Sequence, residues 1–246
     1  MITLLVFSRY QDIFDQFLAS YERYGADDAL HRRLLLTQDV KAPDNWKTLY
    51  YSDTDFVQTR AMNFAMRHTL GDVAFFSDDI EFTHERTLAL LRDAAYSQHD
   101  VGAVSPMIDG GMYNGLQIGS VRTNEPLRIT PALCYVCTYF KEQALRESDP
   151  WDESMIGFAW DDIDHSMSLG KAGWKCAVTP RVVVKHGFQG KTDDSTWSRR
   201  TDVLPNGLQH NAHLFEEKWR GRLGFLGDIV ADSPINSTLN ALQEGK

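Results

Sequence analysis

Gly71-Asp72-Val73-Ala74-Phe75-Phe76-Ser77-Asp78-Asp79 is the stretch on which the fold turns. Val73 to Phe76 is a short apolar run of the kind that fills a strand buried on both faces, and it passes straight into a serine and two carboxylates. Upstream, Phe56 to Leu70 has helical spacing through Val57, Ala61, Phe64 and Ala65, and Gly71 closes it. Before that helix, Lys47 to Tyr51 and Leu34 to Thr37 read as strands. Gln11 to Tyr24 sets Ile13, Phe14, Phe17, Leu18 and Tyr21 on one helical face, and Ile2 to Phe7 is a further unbroken apolar strand. Downstream, Thr83 caps an expected helix carrying Leu88, Leu91 and Ala95, and Val101 to Ser105 is the next strand. Strands alternating with helices predict an α/β fold, a Rossmann-like, mostly parallel central sheet flanked by helices. Such sheets bind ligands at the carboxyl ends of their strands, where Ser8, Arg9, Asp39 and Ser77-Asp78-Asp79 all fall.

The second half changes character. Gly110 to Gly115 reads as a loop, Leu133 to Phe140 as a strand, and Asp161 to Leu169 as a helix ended by Gly170 or Gly173. Val182 to Val184 is a last strand leading to His186. Gly190 to Gly207 is polar and turn-rich, the composition of a mobile loop, and His210 to Arg220 reads as a helix. No linker, repeat or low-complexity tract interrupts the chain. The expectation is one composite domain over residues 1–220, in halves 1–105 and 106–220, with a C-terminal tail at 221–246.

The chain has 246 residues, 43% of them hydrophobic and 24% charged, which excludes disorder and fibrous architecture. Its formal charge of −9 weighs against nucleic acid or anionic membrane as a partner. Cys134, Cys137 and Cys176 are too few for a disulfide framework, and Cys134-Tyr135-Val136-Cys137 reads as reduced strand cysteine without a second pair to make a zinc site. The apolar run at Met1 to Phe7 stops too soon for a signal peptide or a membrane span. The expectation is a cytoplasmic protein with no integral membrane segment.

Several groups of residues carry chemistry. The adjacent carboxylates Asp78 and Asp79 repel each other unless a divalent cation relieves them, or unless they cap the next element and face water. Trp160-Asp161-Asp162-Ile163-Asp164 opens a helix; acids there complement the helix dipole, and one kept dry against Trp160 and Phe158 can instead serve as a base on a hydroxyl. His186 is a structural histidine unless it meets Asp79 in space. Arg9, Arg60, Lys191, Arg199 and Arg200 either neutralise phosphate oxygens or are solvated surface charges. Trp151, Phe158 and Trp160 are either a platform for a sugar ring or core.

Taken in order, these segments resemble the family 2 glycosyltransferases of GT-A fold. Thr59-Arg60-Ala61-Met62-Asn63 followed by Gly71 to Asp79 is similar to that family's Arg-Asn helix, Gly-Asp strand and DxD-type motif. Pro150-Trp151-Asp152-Glu153 looks like its Gly-Phe-Asp-Glu turn, and Phe158 to Trp174 resembles its Glu-Asp-x-Asp segment. Val182 to His186 matches the strand ending in a metal-binding histidine, and Phe215-Glu216-Glu217-Lys218-Trp219 resembles its Phe-x-x-Lys-Trp helix. The resemblance implies transfer of a sugar from a nucleotide-sugar donor to a carbohydrate or other acceptor hydroxyl, with inversion. It implies Mn²⁺ or Mg²⁺ held by Asp79 and His186, and Asp162 as the general base beside Asp161, which replaces the usual Glu. Asp39, Ser8 and Arg9 would lie against the nucleoside, Asp78 against sugar or ribose, Trp160 against a sugar ring, and Arg60 and Lys191 near phosphate. The first half would then bind the donor and the second the acceptor, with the loop from Gly187 to Gly207 closing over them.

The chain departs from that pattern at Ser77, where an acid or Asn usually begins the metal motif, and at Met167 and Ser168, where an arginine is common. Those departures keep a catalytically degenerate sugar- or nucleotide-binding protein of the same fold in view. A sugar-phosphate nucleotidyltransferase is the third reading, although Ser8-Arg9-Tyr10-Gln11 lacks the Gly-rich basic loop it needs.

Overall fold

A computed structural model describes residues 1–25, 32–51, 57–109, 117–122, 124–156, 159–187 and 207–220. Nine strands form one sheet: β1 Ile2–Phe7, β2 Arg32–Thr37, β3 Lys47–Tyr50, β4 Asp72–Ser77, β5 Ile80–Phe82, β6 Val101–Asp109, β7 Arg128–Thr130, β8 Cys137–Phe140 and β9 Lys175–His186. The order is β3-β2-β1-β4-β8-β6-β9-β5, with β7 also on β9. β1, β2, β3, β4, β6 and β9 point one way, while β5, β7 and β8 run against them. The helices are α1 Gln11–Ser20, continued by a π-helical turn at Tyr21–Gly25, α2 Gln58–Met66, α3 Thr87–Tyr96, α4 Glu142–Glu147, α5 Asp161–Lys171 and α6 Gly207–Trp219. Among the described residues no helix is long and apolar enough to cross a membrane.

The apolar runs behave as strands buried on both faces. Along β1 and β4, Leu4, Val6, Ala74 and Phe76 enter one apolar layer with Phe14 and Phe17 of α1 and Leu88 and Leu91 of α3. The alternate residues Leu5, Phe7, Val73 and Phe75 enter a second layer with Ala61 and Ala65 of α2, Ala144 of α4 and Leu169 of α5. Each such fully buried Leu or Phe contributes about 1.5–3 kcal/mol, so the sheet's centre is the most costly place to perturb. Gly71 is required where it stands: its φ is +72°, and a Cβ there would lie 2.2 Å from the Met1 carbonyl oxygen. That close approach lets Asp72 N–H donate to Met1 O at 3.1 Å and starts β4 in register with β1.

Several expected elements shift. Thr83 does not cap a helix; its hydroxyl donates to Val183 O at 2.6 Å, and α3 begins at Thr87. The strand expected over Leu133 to Phe140 is confined to Cys137–Phe140, because Leu133, Cys134 and Tyr135 spend their main-chain N–H groups on side chains of Ser166, Gln117 and Asp162. Cys134 is therefore not a strand residue. The strand ending at His186 is much longer than Val182 to Val184, and β5, β7 and α4 are additional. The Gly110 to Gly115 loop, Phe158, Lys191, Arg199, Arg200, most of the Gly187 to Gly207 loop and the 221–246 tail lie outside the described residues.

Candidate active site

The parallel register of β2, β1 and β4 brings Thr37, Phe7 and Ser77 to one edge of the sheet, so the loops leaving these three strands start side by side. Ser8 comes directly after β1, and its Oγ donates to Asp78 Oδ2 at 2.6 Å. Asp78 is completely buried, so it orients Ser8 from below and offers no open carboxylate face. Arg9 is half-buried beside it, Asp39 is exposed past the end of β2, and Arg60 is exposed in the first turn of α2.

Asp79 and His186 meet. The short strand β5 pairs antiparallel with β9 and sets Ile80 opposite His186. That register places His186 Nε2 3.1 Å from Asp79 Oδ1, and Gly187 N–H donates to Asp79 O at 2.9 Å. Ser77 Oγ donates to the same Asp79 Oδ1. A carboxylate and an imidazole so placed fit a divalent cation: oxygen ligands suit Mn²⁺ and Mg²⁺, imidazole is compatible with the softer Mn²⁺, and both ions commonly complete their shells with phosphate oxygens or water. Among the described residues no three His, Cys, Asp or Glu side chains gather as a ready-made cage.

Asp161 and Asp162 open α5 after two consecutive non-glycine residues in the left-handed region, Ala159 at φ 71° and Trp160 at φ 72°. Single residues in that region cost about 1–3 kcal/mol, a sign that packing holds this helix start in place. The packing is visible: the Trp160 indole is 1% exposed, tilted on Phe215 at 5.0 Å, and clustered with Met155, Ile163, Met167, Ala212 and Trp219. Trp160 is thus core between α5 and α6. Trp151 is likewise buried, stacked on His165 at 3.6 Å, so both indoles take the core reading and neither offers a face to a sugar ring.

The two carboxyls diverge chemically. Burial pushes Asp161 up to about 8, helped by the negative charge of Asp162, and its Oδ2 has no hydrogen-bond partner among the described residues. Burial also raises Asp162, but only to about 6, because Ile163 N–H at 2.8 Å and Tyr135 N–H at 3.3 Å donate to its oxygens. Asp162 is half-buried, and of the two carboxyls it is the one that gives up its proton first.

Asp162 is tied to the Ser77-Asp78-Asp79 loop by a short path. Tyr135 N–H reaches its carboxylate, the next residue's carbonyl, Val136 O, accepts from Ser77 N–H at 2.8 Å, and the two Cα atoms between lie about 3.8 Å apart. Ser8, Asp79, His186 and Asp162 are therefore brought together at one edge, with Asp78 buried behind Ser8. Asp39 and Arg60 are not among the residues that these bonds join.

Residues without obvious chemistry supply the frame. Asn63 Nδ2 donates to Trp151 O at 2.8 Å and to Glu153 Oε1 at 2.9 Å, and Asn63 Oδ1 accepts from Trp151 N–H at 3.1 Å. Thr59 Oγ1 donates to Met155 O at 3.0 Å. On the other side Asp164, 1% exposed, accepts from Lys218 Nζ at 2.8 Å and Trp219 Nε1 at 2.7 Å, and Lys218 also reaches Asp152 at 3.3 Å. The Thr59 to Asn63, Trp151 to Glu153, Asp161 to Asp164 and Lys218-Trp219 segments are thus linked by hydrogen bonds into one frame.

No protein-family model matches the sequence, and no curated protein matches it. Solved structures match its fold. A mannosyltransferase from Pyrobaculum calidifontis in complex with GDP-Man and Mn²⁺ superposes with a TM-score of 0.62 at 16% identity, over 87% of this chain and 63% of that one. GalNAc-T7 with UDP, GalNAc and Mn²⁺ gives 0.62 at 11% identity, over 91% and 52%. TarS from S. aureus gives 0.62 at 11% identity, over 96% and 44%. The fold is the GT-A fold of glycosyltransferases, a mixed α/β sheet flanked by helices. The chain spans between 44% and 63% of the length of these three proteins.

Proposed function

We propose that the protein is a metal-dependent glycosyltransferase that moves a sugar from a nucleotide-sugar donor to an acceptor hydroxyl with inversion. The observation that carries the proposal is the contact of Asp79 with His186 on the edge to which Tyr135 and Val136 also bind Asp162. In this reading Asp79 and His186 hold Mn²⁺ or Mg²⁺, which would neutralise charge on the departing diphosphate.

The chain's own residues do the rest. Ser8, oriented by Asp78, and Arg9 and Asp39 lie at the strand ends where the nucleoside would sit. Arg60 and Lys191 are assigned to the donor's phosphates as cations. Asp162 is the general base: its carboxylate takes the proton of the acceptor hydroxyl as the oxygen attacks the anomeric carbon from the face opposite the leaving diphosphate. The bond from the anomeric carbon to the diphosphate oxygen breaks as the new glycosidic bond forms, and Asp162 ends protonated. Asp161, held neutral by burial, adds no second negative charge beside the base.

A panel of sugar nucleotides, each with and without manganese, tests the reading by thermal shift and by nucleotide release. Stabilisation that requires both ligands, followed by nucleotide release on adding acceptor, supports it. Manganese-dependent binding without any release supports instead a binding protein of the same fold, the reading favoured by Ser77 at the head of the metal motif. Absence of both effects across the panel removes the proposal.

A further inference from the structure

Residues 133–136 run between β7 and β8 without regular structure, yet their polar groups are engaged. Leu133 N–H donates to Ser166 Oγ at 3.1 Å. The fully buried Gln117 brackets Cys134, accepting from its N–H at 2.8 Å and donating to its carbonyl at 3.0 Å. Tyr135 N–H bonds the Asp162 carboxylate, and Val136 O accepts from Ser77 N–H. The Tyr135 hydroxyl lies 3.0 Å from both His165 Nδ1 and Ser166 Oγ, and its ring packs edge-on against Phe140 and Trp151. The Cys134 side chain also counts among the groups that hold the Asp162 carboxyl down against the effect of its burial, after Ile163 N–H and Tyr135 N–H.

We propose that residues 133–136 form a strap that positions the Asp162 carboxylate against the Ser77-Asp78-Asp79 loop, with Cys134 and Tyr135 as its positioning residues. The inference rests on Asp162 being the base. Its physical content is that neighbouring aspartates at one helix start receive unequal support. Asp162 accepts from Ile163 N–H of its own helix and from Tyr135 N–H of the strap, whereas Asp161 Oδ2 has no partner among the described residues, so the strap widens the gap between an ionisable base and a neutral neighbour. Because one end of the strap is fastened to Ser77, a shift of that segment alters the distance from base to metal loop as well. A cysteine at 134 thus acts through its weak S–H donor, a role its spacing to Cys137 does not suggest.

The test compares Cys134→Ala, Cys134→Ser and Tyr135→Phe with wild type, each checked for an unchanged melting profile. The Asp162 carboxyl is titrated by ¹³C NMR, and kcat and donor KM are measured under manganese. Cys134→Ala is expected to move the Asp162 midpoint upward by about half a pH unit to one pH unit, whereas Cys134→Ser, which keeps a donor, restores it. Tyr135→Phe is expected to lower kcat about threefold to tenfold and leave donor KM within about twofold. An Asp162 midpoint unmoved in Cys134→Ala overturns the strap, whatever the activity. The titration needs no turnover: a wild type that transfers no sugar but still shows the Cys134→Ala shift retains the strap and loses the glycosyltransferase reading.

Discussion

Replacing Asp161 with Asn should stabilise the protein progressively as pH rises. Asp161 is 6% exposed, its Oδ2 lacks a partner among the described residues, and burial holds its proton until about pH 8. An unfolded chain releases that proton near the ordinary carboxylate value, so between the two values the unfolded state binds fewer protons than the folded one. Stability from this group is therefore present in acid and is lost as pH rises through the folded value. With a folded value of about 8 against an ordinary 3.8, wild type loses about 3–4 kcal/mol relative to the Asn variant between pH 5 and pH 8. Any fixed cost of burying the Asn amide is independent of pH and cancels in the comparison. For a chain of this length that corresponds to about 10 °C in relative melting temperature. The assay is thermal melting of both proteins at pH 5, 6, 7 and 8 in matched ionic strength. A difference that stays flat across the series refutes the claim that Asp161 is a buried, proton-holding carboxyl.

Transfer by wild type should rise with pH through a limb near 6, since the base acts only when Asp162 is ionised, and Asp162→Asn should abolish turnover; near-normal turnover in that variant, measured by nucleotide release, removes the base assignment. Asn63→Ala removes three hydrogen bonds to the Trp151 to Glu153 turn and should cost about 2–4 kcal/mol in urea unfolding; a loss within error would show that the turn holds itself. Lys218→Met removes the cation from the buried Asp164, whose Trp219 hydrogen bond remains, and should cost about 3–5 kcal/mol, partly recovered by Asp164→Asn in the same chain, a recovery that a double-mutant cycle measures directly.

The core was legible because its strands are apolar on both faces. Ile2 to Phe7, Leu34 to Thr37 and Val73 to Phe76 have no exposed face to reveal, so the unbroken run itself is the signal. β5 was not legible: three residues with Glu81 at the centre carry no pattern, and the strand exists because β9, about a hundred residues later, pairs with it. That unseen strand is what joins Asp79 to His186, so sequence named both residues without the reason they meet. The 133–136 segment reads as strand because its residues are apolar or aromatic. Its hydrogen bonds go instead to Gln117, Ser166 and Asp162, and tertiary contacts overrode propensity. Trp160 was left open between sugar platform and core for a similar reason, since an indole beside two acids has the same sequence whether it faces a sugar or Phe215.

The most direct measurement is a Mn²⁺ titration monitored by electron paramagnetic resonance in the presence of a stabilising nucleotide. Wild type and Asp162→Asn should quench the free-ion signal alike, whereas Asp79→Ala and His186→Ala should each weaken the quenching about tenfold or more. Unaltered manganese binding in both Asp79→Ala and His186→Ala would contradict a cation shared by these two side chains.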